Sequence, residues 1–440
     1  MKKKIVLVGA GSTSFGPKMV NDIFLSKELA GSTIVLHDID QKKLEILYEL
    51  LSVENERLEI KFDIEQTIDR AIAFQNADFI INSIEVGNRM ELWRQDYEIP
   101  RKFGSTQILG ECGGPGGSFH AWRIIPPIIE IVKDAEKICP NAFFINFSNP
   151  MSRVCLAIKR SVKKLKFIGL CHQIDFMIKH LPQMINRSIK DLKIKVAGLN
   201  HFAFLLDLED SSSGKNLMDD FNKNAMNYFK ENENRFEFST LTFEVFKRFG
   251  YFSYVGDNHL GEYLQIGSEF TKTQDMIDWI DFIERDGAFV YRKFLKYYKQ
   301  YKRGKYAQNG ILTKNPSGER AIPIIEAILN NKNSYEIAVN IPNEGIANNL
   351  PRDLILECSA TVDEEGVKGI NIGDLPKNIA TILRIEASIQ DLCIDAVLKK
   401  SKESAIACLA IDPNVGSFEM ADNIFNEMID KQKEFLPKFT

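Results

Sequence analysis

Residues 2–17 read KKKIVLVGAGSTSFGP, and this stretch decides the fold. Four apolar residues, Ile5–Val8, make a strand-length run that ends on Gly9-Ala10-Gly11. Gly9 permits a tight turn, and Gly11 leaves room for a phosphate against the backbone. Apolar spacing over Lys18–Leu29 predicts a helix, whose N-terminus favours negative charge. The third position of the G-x-G-x-x-G pattern holds Ser14, with Gly16 two residues on. A second strand, Ser32–Leu36, runs into His37-Asp38, and Asp38 stands 27 residues after Gly11. A carboxylate there suits ribose hydroxyls and repels a 2′-phosphate, which favours NAD over NADP. Gly9, Gly11, Ser12, Phe15 and Asp38 are therefore the candidate cofactor-binding residues. The plainer alternative is a glycine turn in an unrelated α/β sheet.

Working outward, strand and helix patterns alternate through the first two hundred residues. Gln41–Asn55 is an amphipathic helix and Ala77–Ser83 a buried strand. Ala121–Ile138 is helical, with Pro126-Pro127 implying a kink or a late start. Ala142–Asn146 is a strand, a helix begins near Met151, and Lys166–Leu170 is a strand that ends at Cys171. Such alternation implies a parallel, doubly wound sheet. The pattern changes near residue 190. Lys193–Leu208 reads as one long strand, Leu217–Tyr306 as mostly helix, Lys332–Asn340 and Leu354–Val362 as strands, and Ile379 onward as helix. The expected division is a dinucleotide-binding domain at 1–190 and an α+β domain at 191–440.

The 440 residues are 44% hydrophobic and 26% charged, as in ordinary globular proteins. With 56 basic and 60 acidic residues, neither sign is in excess, so nucleic-acid and membrane partners are not expected. No stretch approaches the roughly 20 apolar residues of a membrane span. The seven cysteines are scattered, with no CxxC pair. That pattern fits reduced thiols in a cytoplasmic enzyme, leaving a cysteine available as ligand or reactive group.

Several residues carry chemistry. Cys171-His172 follows a predicted strand, at the sheet edge where doubly wound folds place their sites. Asn200-His201 falls in the middle of the long strand of the next segment. Asn149-Pro150, the glycine-rich loop Gly110–Gly117 and the cluster Asp257-Asn258-His259 with Glu262 are further polar candidates. A cysteine and a histidine at loop edges could be two ligands of a divalent metal with open positions for substrate oxygens. Each could equally be a satisfied interior residue, and a spacing of 30 residues does not choose between these.

Taken in order, the motifs resemble glycoside hydrolase family 4, the NAD- and metal-dependent glycosidases. The resemblance runs through GAGS, Asp38, INSIEVG at 81–87, GPGG at 114–117, NPM at 149–151, CHQI at 171–174, GLNHF at 198–202 and VNIPNEGIANNLP at 339–351. It implies a Rossmann-type sheet followed by an α+β domain of the lactate/malate dehydrogenase-like kind. It implies NAD and Mn²⁺ as cofactors, Cys171 and His201 as metal ligands, and Asn149 as a contact to sugar hydroxyls. Transient oxidation at C3 of the sugar would acidify C2, and the aglycone would leave from C1. Asp257 is the expected C2 base, in preference to Tyr263. His172, which can donate a proton near neutral pH, and Glu111 are the expected acids. His172, Arg123 and His259 join Asn149 as substrate-binding candidates, and Arg94 or Arg123 could meet an anionic substituent. A Cys-His dipeptide resembles members that act on unphosphorylated α-glycosides, and GDNHLGEYL at 256–264 resembles the α-galacturonidase-like branch. The resemblance also suggests a homodimer or homotetramer. A simple NAD-dependent 2-hydroxyacid or sugar dehydrogenase and a non-catalytic NAD-sensing protein are the alternatives.

Overall fold

The computed structural model describes residues 2–12, 15–231, 240–305, 312 and 315–440. Ser14, and residues 232–239 and 306 of the expected helical stretch, lie outside them. The strands are β1 (Lys4–Val8), β2 (Thr33–His37), β3 (Asp63–Thr67), β4 (Phe79–Asn82), β5 (Phe143–Asn146), β6 (Lys166–Gly169), β7 (Leu192–Leu199), β8 (Phe202–Asp210), β9 (Ser334–Pro342), β10 (Ile355–Asp363) and β11 (Gly366–Gly369). They form one sheet in the order β3-β2-β1-β4-β5-β6-β9-β10-β7-β8, with β11 beside β10. The first six run parallel in the order of a dinucleotide-binding fold. From β9 onward the pairing is antiparallel.

Side-chain alternation explains why the parallel half is covered on both faces. Ile5, Leu7, Ile34, Leu36, Phe79 and Ile81 enter one core. Val6, Val8, Val35 and Ile80 enter the other. The second core also takes Phe119, Trp122 and Ile125 of the helix Gly114–Ile138, and Ile389, Cys393 and Ile424 from the C-terminal helices. Trp122 donates its indole N–H to the Cys393 carbonyl at 3.1 Å. The expected boundary near residue 190 falls between β6 and β7 of one continuous sheet, and the C-terminal helices close the N-terminal core.

Two further expectations change. The helix predicted from Ala121 begins at Gly114, with both prolines inside it, so half of the glycine-rich loop is helix. Glycine is required there by close packing: a Cβ on Gly116 would sit 2.5 Å from the Asp96 carbonyl, and one on Gly117 2.5 Å from the Cys112 carbonyl carbon. The single strand Lys193–Leu208 is instead a hairpin, β7–β8, with Leu199 paired to Phe202. Asn200-His201 is its two-residue turn, and His201 has φ +62°. A left-handed residue other than glycine costs roughly 1–2 kcal/mol.

Candidate active site

β1, β4, β5 and β6 end along one edge of the parallel half, and the polar segments gather there. At β1, the Gly9 and Ala10 N–H groups donate to the His37 carbonyl. Gly9 has φ +83°, and a Cβ on it would lie 2.9 Å from the Ser83 carbonyl oxygen. The Gly11 N–H donates to Asp38 Oδ2 at 2.7 Å, where a Cβ would also collide. Asp38 Oδ1 accepts from the Asp40 N–H. Asp38 therefore ties the glycine loop to the end of β2 while keeping lone pairs for a ribose. Ser12 Oγ accepts from the Phe15 N–H, and the Phe15 ring meets Phe147 at 4.7 Å. A Cβ on Gly16 would lie 2.4 Å from the Ala10 carbonyl oxygen, so Gly16 supplies the close helix–strand packing of the pattern's third glycine. This cradle fits a dinucleotide.

After β6, the Cys171 sulfur lies 3.2 Å from His201 Nε2 on the hairpin turn. Two ligand bonds of about 2.3 and 2.1 Å at a right angle put sulfur and nitrogen about 3.1 Å apart. His201 Nδ1 is enclosed, without a hydrogen-bond partner among the described residues. Burial, then the neighbouring His259 and His172, hold the His201 ring well below the usual imidazole range, in the neutral form a metal needs. Burial and then the Glu357 carboxylate push the Cys171 thiol up to about 12, so it keeps its proton until a cation displaces it. The donor pair fits a divalent metal. Beneath the turn, Glu357 accepts from Asn200 Nδ2 at 2.6 Å, from the Tyr254 hydroxyl at 2.6 Å and from Asn340 Nδ2 at 3.1 Å. These bonds hold Asn200, and with it the strained turn, in place.

The other expected residues divide. The Glu111 carboxylate pairs with Arg89 at 2.8 Å and has the Asn149 side chain beside it. Burial works against the Glu111 charge, but Arg89, His259 and His120 outweigh it and hold the carboxyl below its ordinary range. The His259 ring lies 3.9 Å from that of His201, and its Nδ1 is 3.3 Å from Glu262 Oε2. His172 stands exposed at the rim. The Asp257 oxygens accept the Leu241 N–H, the Thr242 N–H and the Thr242 hydroxyl, so it holds the start of the helix Thr240–Phe249. Arg123 is buried, pairs with Asp96 at 2.5 Å and donates to Gln432. Arg94 is taken by Asp281 and Glu284.

The sequence singles out Glu262 only as a member of the polar cluster at 257–262, and it marks neither Cys112 nor Glu357. Glu262 Oε1 accepts the N–H groups of Glu111 and Cys112, which fixes the loop before the helix Gly114–Ile138. Its spacing of three residues from His259 was the available signal. Glu357 lies on a strand with nothing in its neighbourhood to mark it.

Residues 4–187 match the model of the family 4 glycosyl hydrolases, and residues 196–415 match that of the family 4 glycosyl hydrolase C-terminal domain. The chain belongs to family 4 of the glycosyl hydrolases. An α-glucosidase of Erwinia rhapontici is 34% identical to it over 99% of each chain. An α-galactosidase of Bacillus subtilis (strain 168) is 28% identical, covering 99% of this chain and 100% of its own. Among solved structures, a 6-phospho-α-glucosidase from gut microorganisms, in complex with NAD and Mn²⁺, superposes over 100% of both chains with a TM-score of 0.87 at 22% identity. As a family 4 member the chain is a glycosidase. Among the described residues, no helix is long and apolar enough to cross a membrane.

Proposed function

We propose that this chain hydrolyses α-glycosides of unphosphorylated sugars, with NAD and Mn²⁺ as resident cofactors, through transient oxidation of the sugar at C3. The observation that carries this reading is the 3.2 Å approach of Cys171 to His201, on the same sheet edge as the Gly9–Gly11 cradle. Bound there, the two cofactors supply reversible hydride acceptance and Lewis-acid stabilisation of an adjacent oxyanion. Gly9, Gly11, Ser12, Phe15 and Asp38 hold the dinucleotide, and Cys171 with His201 holds the metal. Asn149 and the ionised Glu111 accept or orient sugar hydroxyls. Oxidation at C3 acidifies the C2 proton, and His259 Nε2 removes it while Nδ1 stays on Glu262. His172, at the mouth of the cleft, gives a proton to the departing aglycone. Water then adds at C1, and C3 is reduced again.

A neutral sugar is favoured over a uronide. The arginines that could have met a carboxylate, Arg94 and Arg123, are both committed to protein acids. The Erwinia rhapontici relative points the same way, to an α-glucoside. The test is to supply purified protein with NAD⁺, Mn²⁺ and a thiol, and the 4-nitrophenyl α-glycosides of glucose, galactose, glucuronate and galacturonate. Release of nitrophenol from the neutral sugars, without net NADH, is expected. Hydrolysis confined to the uronides would refute the substrate reading. Net NADH without hydrolysis would replace it with a dehydrogenase. The same reading makes the chain a cytoplasmic homo-oligomer that meets its copies on the helix Thr273–Lys302, where Phe282 and Phe289 stand exposed. A monomer mass in light scattering would refute that assembly.

A further inference from the structure

His201 has a second sulfur beside it. The Cys112 sulfur, a ring nitrogen of His201 and a carboxylate oxygen of Glu262 lie within 4.8 Å of one another, and all three residues are buried. Two metal–sulfur bonds laid end to end span about 4.6 Å, so this triangle is nearly the size of one coordination sphere. The Cys112 backbone is not free to wander. Its N–H and that of Glu111 are held by Glu262 Oε1, and Gly117 packs against its carbonyl with no room for a Cβ. On the next residue, a Cβ on Gly113 would collide with Glu262 and Tyr263 at 2.8 Å. The loop is therefore built to sit tightly against the segment that carries Glu262. Among the described residues, Glu262 Oε2 has only its 3.3 Å contact with His259, and the buried His201 Nδ1 has no hydrogen-bond partner.

We propose that Cys112 is a second sulfur donor to the metal centre, which gives the centre two coordination modes. In the open mode Cys171 and His201 hold a hard, six-coordinate ion such as Mn²⁺ and leave positions for substrate oxygens. In the closed mode Cys112 and a Glu262 carboxylate oxygen join His201, and the Cys171 sulfur, which stands outside that triangle, moves in to complete a tetrahedral set of two sulfurs, one nitrogen and one oxygen. That set suits Zn²⁺ and leaves no site for the sugar. Each thiol releases its proton to solvent as its metal–sulfur bond forms. Zinc is then a tight, inactivating ligand of this chain, and Cys112 sets the preference between the two metals.

The inference rests on the Cys171–His201 assignment, and cobalt spectroscopy separates the two. Full-length wild type, Cys112→Ser, Cys112→Ala and Cys171→Ser would each be loaded anaerobically with Co²⁺. NAD binding and the thermal midpoint would serve as checks of folding. Wild type should show strong tetrahedral visible bands and a sulfur-to-cobalt band about twice as intense as in either Cys112 variant. In competition against Mn²⁺, the Cys112 variants should bind Zn²⁺ at least roughly tenfold more weakly than wild type. Equal bands and equal zinc preference in wild type and both folded Cys112 variants, with loss only in Cys171→Ser, would overturn the role of Cys112 alone. Absence of any sulfur-to-cobalt band in wild type would overturn the metal pair as well.

Discussion

Replacing Asp257 by Asn tests whether that carboxylate is a base or a cap. It is 1% exposed, and three donors from the start of the helix Thr240–Phe249 converge on it: the Leu241 N–H at 2.9 Å, the Thr242 N–H at 2.8 Å and the Thr242 hydroxyl at 2.8 Å. Asparagine keeps one acceptor oxygen but turns an NH₂ group toward the remaining N–H. One charge-assisted hydrogen bond is lost, worth about 1.5–3 kcal/mol, together with about 0.3–1 kcal/mol of attraction to the helix N-terminus. Part of this is returned, because burial pushes the Asp257 pKa up against those donors and the neutral amide avoids that cost. The net expectation is a loss of about 1–2 kcal/mol, seen as a fall of a few degrees in the unfolding midpoint of the NAD- and Mn²⁺-loaded protein. Removing a true base costs about 10²–10⁴-fold in rate. The cap reading predicts a fall in kcat of less than about tenfold, with exchange of C2 deuterium into solvent retained. A loss of kcat of roughly 10²-fold or more, with C2 exchange abolished and the midpoint unmoved, would refute the reasoning and restore Asp257 as the base.

His259→Gln should do the opposite, removing C2 exchange while the unfolding midpoint moves little; exchange at the wild-type rate would remove His259 from the proposed chemistry. Gly11→Ala places a Cβ 2.7 Å from Asp38 Oδ2, so NAD affinity in calorimetry should drop at least roughly tenfold, with an unchanged Kd contradicting the cradle. Burial raises the Asp412 carboxyl to about 6. The folded chain then binds more protons than the unfolded chain between about 4 and 6, so Asp412 costs stability as pH rises through that window and beyond it. Asp412→Asn should gain about 1–3 kcal/mol in urea unfolding at pH 8 and nothing near pH 4, and an equal effect at both would show the wrong sign of linkage.

The parts of this protein that could be read from its sequence are those in which neighbouring residues cooperate. The run Ile5–Val8 alternates between two cores because a strand points successive side chains to opposite faces, so strand, glycine turn and helix announce themselves together. The helix Gln41–Asn55 was placed to the residue, since Asp40 caps it and its apolar spacing fills it. The strand β3, DIEQT, went unseen because its polar side chains carry no apolar alternation. The hairpin turn was misread for a related reason. Asn200-His201 lacks the glycine that usually marks a left-handed turn, and its conformation is held from outside by Glu357, more than 150 residues away. Asp257 shows the converse situation. An acid in a polar cluster looks catalytic when its partners, Leu241 and Thr242, lie on another helix. Local pattern therefore recovers the scaffold and the residues that touch a ligand through a motif. It does not recover the groups that hold those residues from a distance. In this chain such groups are Glu262, which holds the loop of Cys112, and Glu357, which holds the turn of His201.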